Sequence, residues 1–223
     1  MNLLTNKDLK RRIIEISYKK RLSHLGSCLT AVDIIEEIFN TKKPDEKFVL
    51  SSGHAGLALY VVLEKYWGNY YKGQTPVGEK LFNNAEEIFD HHGVHPDRCE
   101  ECHIDCSAGS LGNGLCIATG MALADRSKNV YCLISDGECS EGSIFEAFII
   151  MGENHLKNLK IYLNWNGWGA YKEIIANPLP EDFDYLYEEV ITTSDDFPFL
   201  IGQKGHYAIM TEEEYNQAME ILR

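Results

Sequence analysis

The stretch Val130-Tyr131-Cys132-Leu133-Ile134-Ser135-Asp136-Gly137 decides the fold. Five apolar, partly β-branched residues stop at Ser-Asp-Gly, as a buried strand does where it leaves a sheet. A helical pattern follows from about Gly142 to His155, with Ile144, Phe148 and Met151 at helical spacing. A second strand-like run, Leu159 to Leu163, then ends at Asn164-Trp165-Asn166. This strand–helix–strand unit has the roughly thirty residues that a parallel crossover needs. Asp136 and Asn166 therefore stand just past the C-terminal ends of parallel strands, where open α/β sheets bind ligands.

The chemistry of the pair suits that place. An Asp carboxylate and an Asn carbonyl are hard oxygen donors, and Mg²⁺ takes one or two protein oxygens plus phosphate oxygens of its ligand. Gly137 lets the backbone approach a diphosphate that a β-carbon would hold off. Read alone, Asp-Gly is a common turn former and Asp136 an ordinary helix cap. The matching Asn at the next strand end favours a metal–diphosphate cradle.

The 223 residues suffice for one sizeable domain with its own core. The net charge of −13 argues against a nucleic-acid partner. A polyanionic ligand then needs helix N-termini or a cation to hold it. No apolar run is long enough to span a membrane, and the N-terminus (Asn6, Lys7, Asp8, Lys10, Arg11, Arg12) lacks a signal-peptide core, so a cytoplasmic location is expected. Seven scattered cysteines fit reduced thiols better than a disulfide framework.

Around the central unit, residues 7–22 read as an amphipathic helix built on Leu9, Ile13, Ile14 and Ile16. The loop Ser23-His24-Leu25-Gly26-Ser27 interrupts it, and Thr30, with Asp33 three residues on, is expected to cap a second helix. Phe48-Val49-Leu50 is a short strand ending at Ser51-Ser52-Gly53-His54, where a lone His is more often structural than functional. Gly109-Ser110-Leu111-Gly112-Asn113-Gly114 is a glycine-rich loop opening a helix, a weak signal in isolation. Between them lies a His- and Cys-rich loop, residues 90–106. Cys99-Glu100-Glu101-Cys102 has zinc-ligand spacing there, with His103 or Cys106 available to complete a tetrahedron. The tail opens with Thr211 before a Glu run, a helix N-terminus.

Several segments, in order, resemble the diphosphate-binding half of a transketolase. Ser23-His24-Leu25-Gly26 is similar to that family's Ser-Gly-His-Pro-Gly loop, and Phe48 to Ala55 to its Phe-Val-Leu-Ser-x-Gly-His-Ala. His95-Pro96-Asp97 resembles His-Pro-Glu, and Gly109 to Gly114 resembles Gly-Ser-Leu-Gly-Gln-Gly. Ser135-Asp136-Gly137-Glu138, Glu141-Gly142 and Glu146-Ala147 look like the thiamine diphosphate motif, with Asn166 where its second metal ligand lies. His206, nine residues before Tyr215, is similar to the family's closing Trp-His-Gly…Glu-Glu-Tyr.

The resemblance implies an α/β thiamine diphosphate-binding fold, a mostly parallel sheet flanked by helices. One such domain would span 1–223, shortened at about 167–205. It implies Mg²⁺ (or Ca²⁺ or Mn²⁺) held by Asp136, Asn166 and the Trp168 carbonyl. His54 and Gly137 would contact the cofactor's diphosphate, while the Gly109 loop and the Leu111 carbonyl would meet its aminopyrimidine. His24, His95 and His206 would line the substrate channel as acid–base groups, and Glu141 would lie at the subunit interface. Ser135 replaces the motif's first Gly, and the forty residues from Asn166 to His206 leave room for fewer helices than usual.

The pyrimidine and C-terminal domains have no counterpart in this length. The reading is thus the N-terminal subunit of a split transketolase, inactive without a separately encoded partner and assembling as α2β2. It would transfer a two-carbon ketol unit between sugars or sugar phosphates. The alternatives are a 1-deoxyxylulose-5-phosphate synthase-like or other thiamine diphosphate enzyme subunit, and a non-catalytic homologue stapled by zinc at Cys99, Cys102 and Cys106.

Overall fold

The structure is a computed structural model that describes residues 6–69, 82–175, 188–189 and 197–223. Four parallel strands form its sheet in the order β1 (Lys47–Leu50), β2 (Val130–Ser135), β3 (Leu159–Trp165) and β4 (Glu188–Glu189). β2 is buried at every position, as a central parallel strand covered on both faces must be. Its side chains alternate between two apolar layers. Tyr131 and Leu133 join the larger one with Phe48, Leu50 and Tyr162, beneath α1 (Lys7–Lys20), α2 (Leu25–Thr41) and α3 (Gly56–Asn69). α4 (Ala85–His92) contributes Ala85 and Ile88 to the same layer. Val130, Cys132 and Ile134 join the smaller layer with Val49, Ile161 and Leu163, beneath α5 (Asn113–Ala124) and α6 (Gly142–Asn154). Ile134 is 0% exposed, so truncating it to Ala would cost about 2–5 kcal/mol in lost transfer energy and cavity.

Two short helices close the chain, α7 (Lys204–Tyr207) and α8 (Glu212–Ile221). Thr211 caps α8 as expected, with a reciprocal box to Glu214. α1 ends at Arg21, whose left-handed backbone (φ 55) turns its N–H back onto the Ser17 and Tyr18 carbonyls.

The expected cap at Thr30 is corrected. α2 begins five residues earlier, at Leu25, and Thr30 lies buried within it. Its hydroxyl donates back to the Gly26 and Ser27 carbonyls and accepts from Asn164 Nδ2 at 2.9 Å, tying α2 to β3. Asp33 too lies within α2 and not at its start. It forms a buried ion pair with Lys10, which joins α1 to α2. Gly26 lies within the helix, where it permits a close approach: a β-carbon there would come within 3.1 Å of the Gly205 backbone. The chemistry-bearing strand tips β1, β2 and β3 all point to one edge. About half of the shortened interval, 176–187 and 190–196, lies outside the described residues.

Candidate functional site: the cavity at the strand tips

β2 and β3 run in register, Ser135 opposite Asn164, so the next residues of both strands leave the sheet side by side. Asp136 and Asn166 consequently line one cavity of about 170 Å³. Its wall also includes His24, His54, His95, Gly109, Leu111, Gly137, Trp168 and His206. Of the expected site residues only Glu141 lies outside that wall. It is exposed at the start of α6, beside Gly112.

Asp136 is 2% exposed. Its Oδ1 accepts from the Gly137 N–H at 2.8 Å and its Oδ2 from the Gly167 N–H at 2.7 Å. No cationic side chain pairs with it among the described residues. Burial outweighs these amide donors and pushes its carboxyl up to about 6. A desolvated carboxylate with lone pairs left over, beside the amide oxygen of Asn166, is the donor set of a small hard cation. The residues present therefore fit a Mg²⁺-sized ion. Asn166 Oδ1 already accepts from the Trp168 N–H at 2.9 Å, which fixes its rotamer with one lone pair to spare.

Three imidazoles face one another across the cavity. The ring centroids of His24, His54 and His206 lie 5.4–5.7 Å apart. His24 adopts a left-handed backbone (φ 61), and its N–H donates to the His206 carbonyl at 2.7 Å. That bond, with the Gly26–Gly205 contact, sets α7 against the start of α2. Burial depresses the histidines, His54 to about 3 and His206 to about 4, with neighbouring imidazoles adding to the effect. His24 is lowered as well, first by burial and then by His95. His24 and His206 are therefore neutral near pH 7.

One residue carries more of the geometry than the sequence reading gave it. Glu138 is 0% exposed, and its carboxylate gathers three separate segments. It accepts from the Ser51 hydroxyl at the end of β1, from the Gly112 N–H at 2.9 Å, and from the Ser135 N–H at 2.8 Å. The Ser135 hydroxyl adds a fourth bond at 3.2 Å, which also shows why a side chain is tolerated there. Glu138 thus holds the glycine-rich loop against two strand tips. Gly112 itself has φ 81, and a β-carbon on it would strike Ser143 and Glu141, so only glycine fits.

The cysteines depart from expectation. Cys99 and Cys102 are joined in a disulfide, their Cα atoms 5.1 Å apart across a tight turn, while the five others are free. Neither His103 nor Cys106 approaches the pair as a ligand. The third metal-capable side chain beside it is His92, at the end of α4.

A parallel sheet flanked by helices, with a polar cavity at its strand tips, is the architecture of an α/β domain. Residues 14–168 match the model of the transketolase thiamine diphosphate binding domain, and the chain belongs to that family. It is 31% identical to an apulose-4-phosphate transketolase subunit of Phocaeicola vulgatus, over 70% of this chain and 58% of that protein. It is 30% identical to the 6-deoxy-6-sulfo-D-fructose transketolase subunit of a Clostridium species, over 71% of this chain and 60% of that one. With human transketolase the identity is 35%, over 66% of this chain but 24% of the human protein. The chain thus spans under two thirds of the subunit relatives and about a quarter of the full-length enzyme. The crystal structure of Campylobacter jejuni transketolase superposes with a TM-score of 0.70 at 19% identity, covering 100% of this chain and 43% of that one, and shows the shared fold.

Proposed function

We propose that this chain is the N-terminal subunit of a split transketolase. It holds the diphosphate of thiamine diphosphate through Mg²⁺ and transfers a two-carbon ketol unit between sugars after joining a separately encoded partner. The observation that carries this reading is the convergence of Asp136, Asn166, Trp168 and four histidines on one cavity. When bound, thiamine diphosphate would supply a carbon nucleophile for a ketose carbonyl and an electron sink for the pair released when the neighbouring carbon–carbon bond breaks. Asp136, Asn166 and the Trp168 carbonyl hold the cation, whose place Ca²⁺ or Mn²⁺ can take. His54 and Gly137 contact the diphosphate, and the Gly109 loop presents the Leu111 carbonyl to the aminopyrimidine.

His24, His95 and His206 bind donor hydroxyls and move protons at the carbonyl oxygen. As neutral imidazoles, His24 and His206 can accept a hydroxyl proton first, and an entering phosphate raises their affinity for it. The donors are polyhydroxylated sugars or sugar phosphates, in keeping with the substrates that the two subunit relatives are named for.

A second chain completes this cavity of roughly 170 Å³, in keeping with the subunit names of the two relatives. Ile117 on α5 and Phe145, Ile149 and Ile150 on α6, the helix that Glu141 precedes, are exposed apolar residues. They form the docking face for the pyrimidine-domain subunit, in an α2β2 assembly with Glu141 linking paired sites. Among the described residues no helix is long and apolar enough to cross a membrane.

The test is reconstitution with the pyrimidine-domain chain, Mg²⁺ and thiamine diphosphate, assayed with a ketose donor and an aldose acceptor, and separately with pyruvate. Ketol transfer only when both chains are present is the expected result. Turnover of pyruvate without ketol transfer would overturn the reading.

A further inference from the structure

Outside the strand-tip cavity, the densest group of metal-capable side chains lies on the loop between α4 and the glycine-rich segment. His92 Nε2 stands 3.3 Å from Cys102 Sγ, and the ligand atoms of His92, Cys99 and Cys102 all lie within 4.8 Å of one another. In a tetrahedral zinc site with ordinary bond lengths, a nitrogen and a sulfur ligand sit about 3.6 Å apart and two sulfurs about 3.8 Å. The imidazole, at 3.3 Å from the Cys102 sulfur, is close to that spacing.

The backbone around the pair is shaped for thiolates. The Cys102 N–H donates to Cys99 Sγ at 3.1 Å, a bond that strengthens when the sulfur carries charge. Cys99 and Ile104 exchange two backbone hydrogen bonds of 2.9 Å, closing the turn between them into a small knuckle. His103 takes the left-handed conformation (φ 58) just after the second cysteine, where it turns the chain back. Cys102 is 0% exposed, so its sulfur faces inward to His92 rather than to solvent.

We propose that, in the dithiol form, His92 Nε2, Cys99 Sγ and Cys102 Sγ bind one zinc ion, with water at the fourth position. Two thiolates and an imidazole select zinc over the hard cations that suit the strand-tip cavity. A phosphine or dithiol reductant delivers two electrons to the Cys99–Cys102 bond and yields two thiols, whose protons the zinc displaces. Disulfide and zinc knuckle are thus mutually exclusive states of one turn. The ion ties the end of α4 to the loop that carries His95 and, through the Ala108 N–H to Pro96 carbonyl bond (3.0 Å), the start of the glycine-rich segment. Nothing in this site depends on thiamine diphosphate.

The test uses the full chain, purified under a phosphine reductant, with zinc measured by plasma mass spectrometry beside a thiol titration. About one zinc per chain is expected, falling at least tenfold in Cys99→Ser and Cys102→Ser but retained in Cys106→Ser. Cobalt substituted into the wild-type chain, which needs no variant to fold, should give a thiolate-to-cobalt charge-transfer band and a tetrahedral spectrum. A reduced chain with all thiols titrating and no zinc, zinc retained at full level in Cys102→Ser, or cobalt bound without that band would each overturn the site.

Discussion

The carboxylate of Glu138 accepts the backbone N–H of Gly112 at 2.9 Å, joining the turn after β2 to the glycine-rich loop inside a fully buried setting. The same carboxylate takes donors from Ser51 and Ser135, so one side chain sets the distance between the loop and two strand tips. Glu138→Gln keeps the volume but turns an amide –NH2 toward donors that then lose their acceptor. Leaving one buried donor unpaired costs about 1–3 kcal/mol. Chemical denaturation should show that loss, together with weaker thiamine diphosphate binding as the loop detaches. A variant as stable as the wild type would remove Glu138 from this role.

Gly114 and Gly120 lie on opposite sides of α5 and should respond oppositely to alanine. A β-carbon on Gly114 would sit 2.5 Å from the Ser51 Cα, backbone that cannot step aside, whereas one on Gly120 meets nothing within 4 Å. Gly114→Ala should destabilise the chain by about 1–3 kcal/mol through overpacking. Gly120→Ala should stabilise it by roughly 0.5–1 kcal/mol through helix propensity. Urea midpoints of the isolated chain measure both signs.

Stability should fall on acidification below about pH 6.5. Unfolded, His54 and His206 titrate near 6.5; folded, burial keeps them neutral until about 3 and about 4. Between those limits the unfolded chain binds more protons, so the stability present above 6.5 is lost as pH drops. Each pH unit costs up to about 1.4 kcal/mol per histidine. Asp136 works the other way, since its folded carboxyl, raised to about 6, takes up its proton before the unfolded one does. His206→Asn should therefore flatten the slope between pH 6 and 4, and an unchanged slope would show that His206 is not held neutral.

Ile149 is 57% exposed on α6, and its replacement by a charge costs the isolated chain little. Ile149→Asp should leave the melting temperature unaltered yet prevent co-elution with the pyrimidine-domain chain on size exclusion. Undiminished co-elution would place the docking face elsewhere.

The strand tips were legible in the sequence because apolar runs that stop at Ser135-Asp136-Gly137 and at Asn164-Trp165-Asn166 have few other readings, and parallel register then sets the two ends side by side. His54 and His95 were found through their motifs, since a lone imidazole at a turn carries no periodicity. What escaped depended on contacts distant in sequence. Gly26 and Ser27 look like loop formers, yet both lie in α2, where Gly26 packs closely on Gly205, and Thr30 falls in the helix interior. The spacing of Cys99 and Cys102 pointed to a ligand pair, but only the placement of α4 selects His92 over the adjacent His103. Glu138 stood within a recognised motif, but beside Asp136 and Glu141 its charge gave no separate signal, and its three partner segments are distant or adjacent in ways only the fold reveals.

Calorimetric titration of thiamine diphosphate into the reconstituted complex, with and without Mg²⁺, for the wild type and Asp136→Ala, tests the metal-anchored cofactor most directly. Binding by the wild type that requires Mg²⁺ and weakens at least about 100-fold in Asp136→Ala is the expected result, since it removes a buried charged ligand. Equal affinity in the two proteins, or binding by the wild type indifferent to the divalent ion, would contradict it.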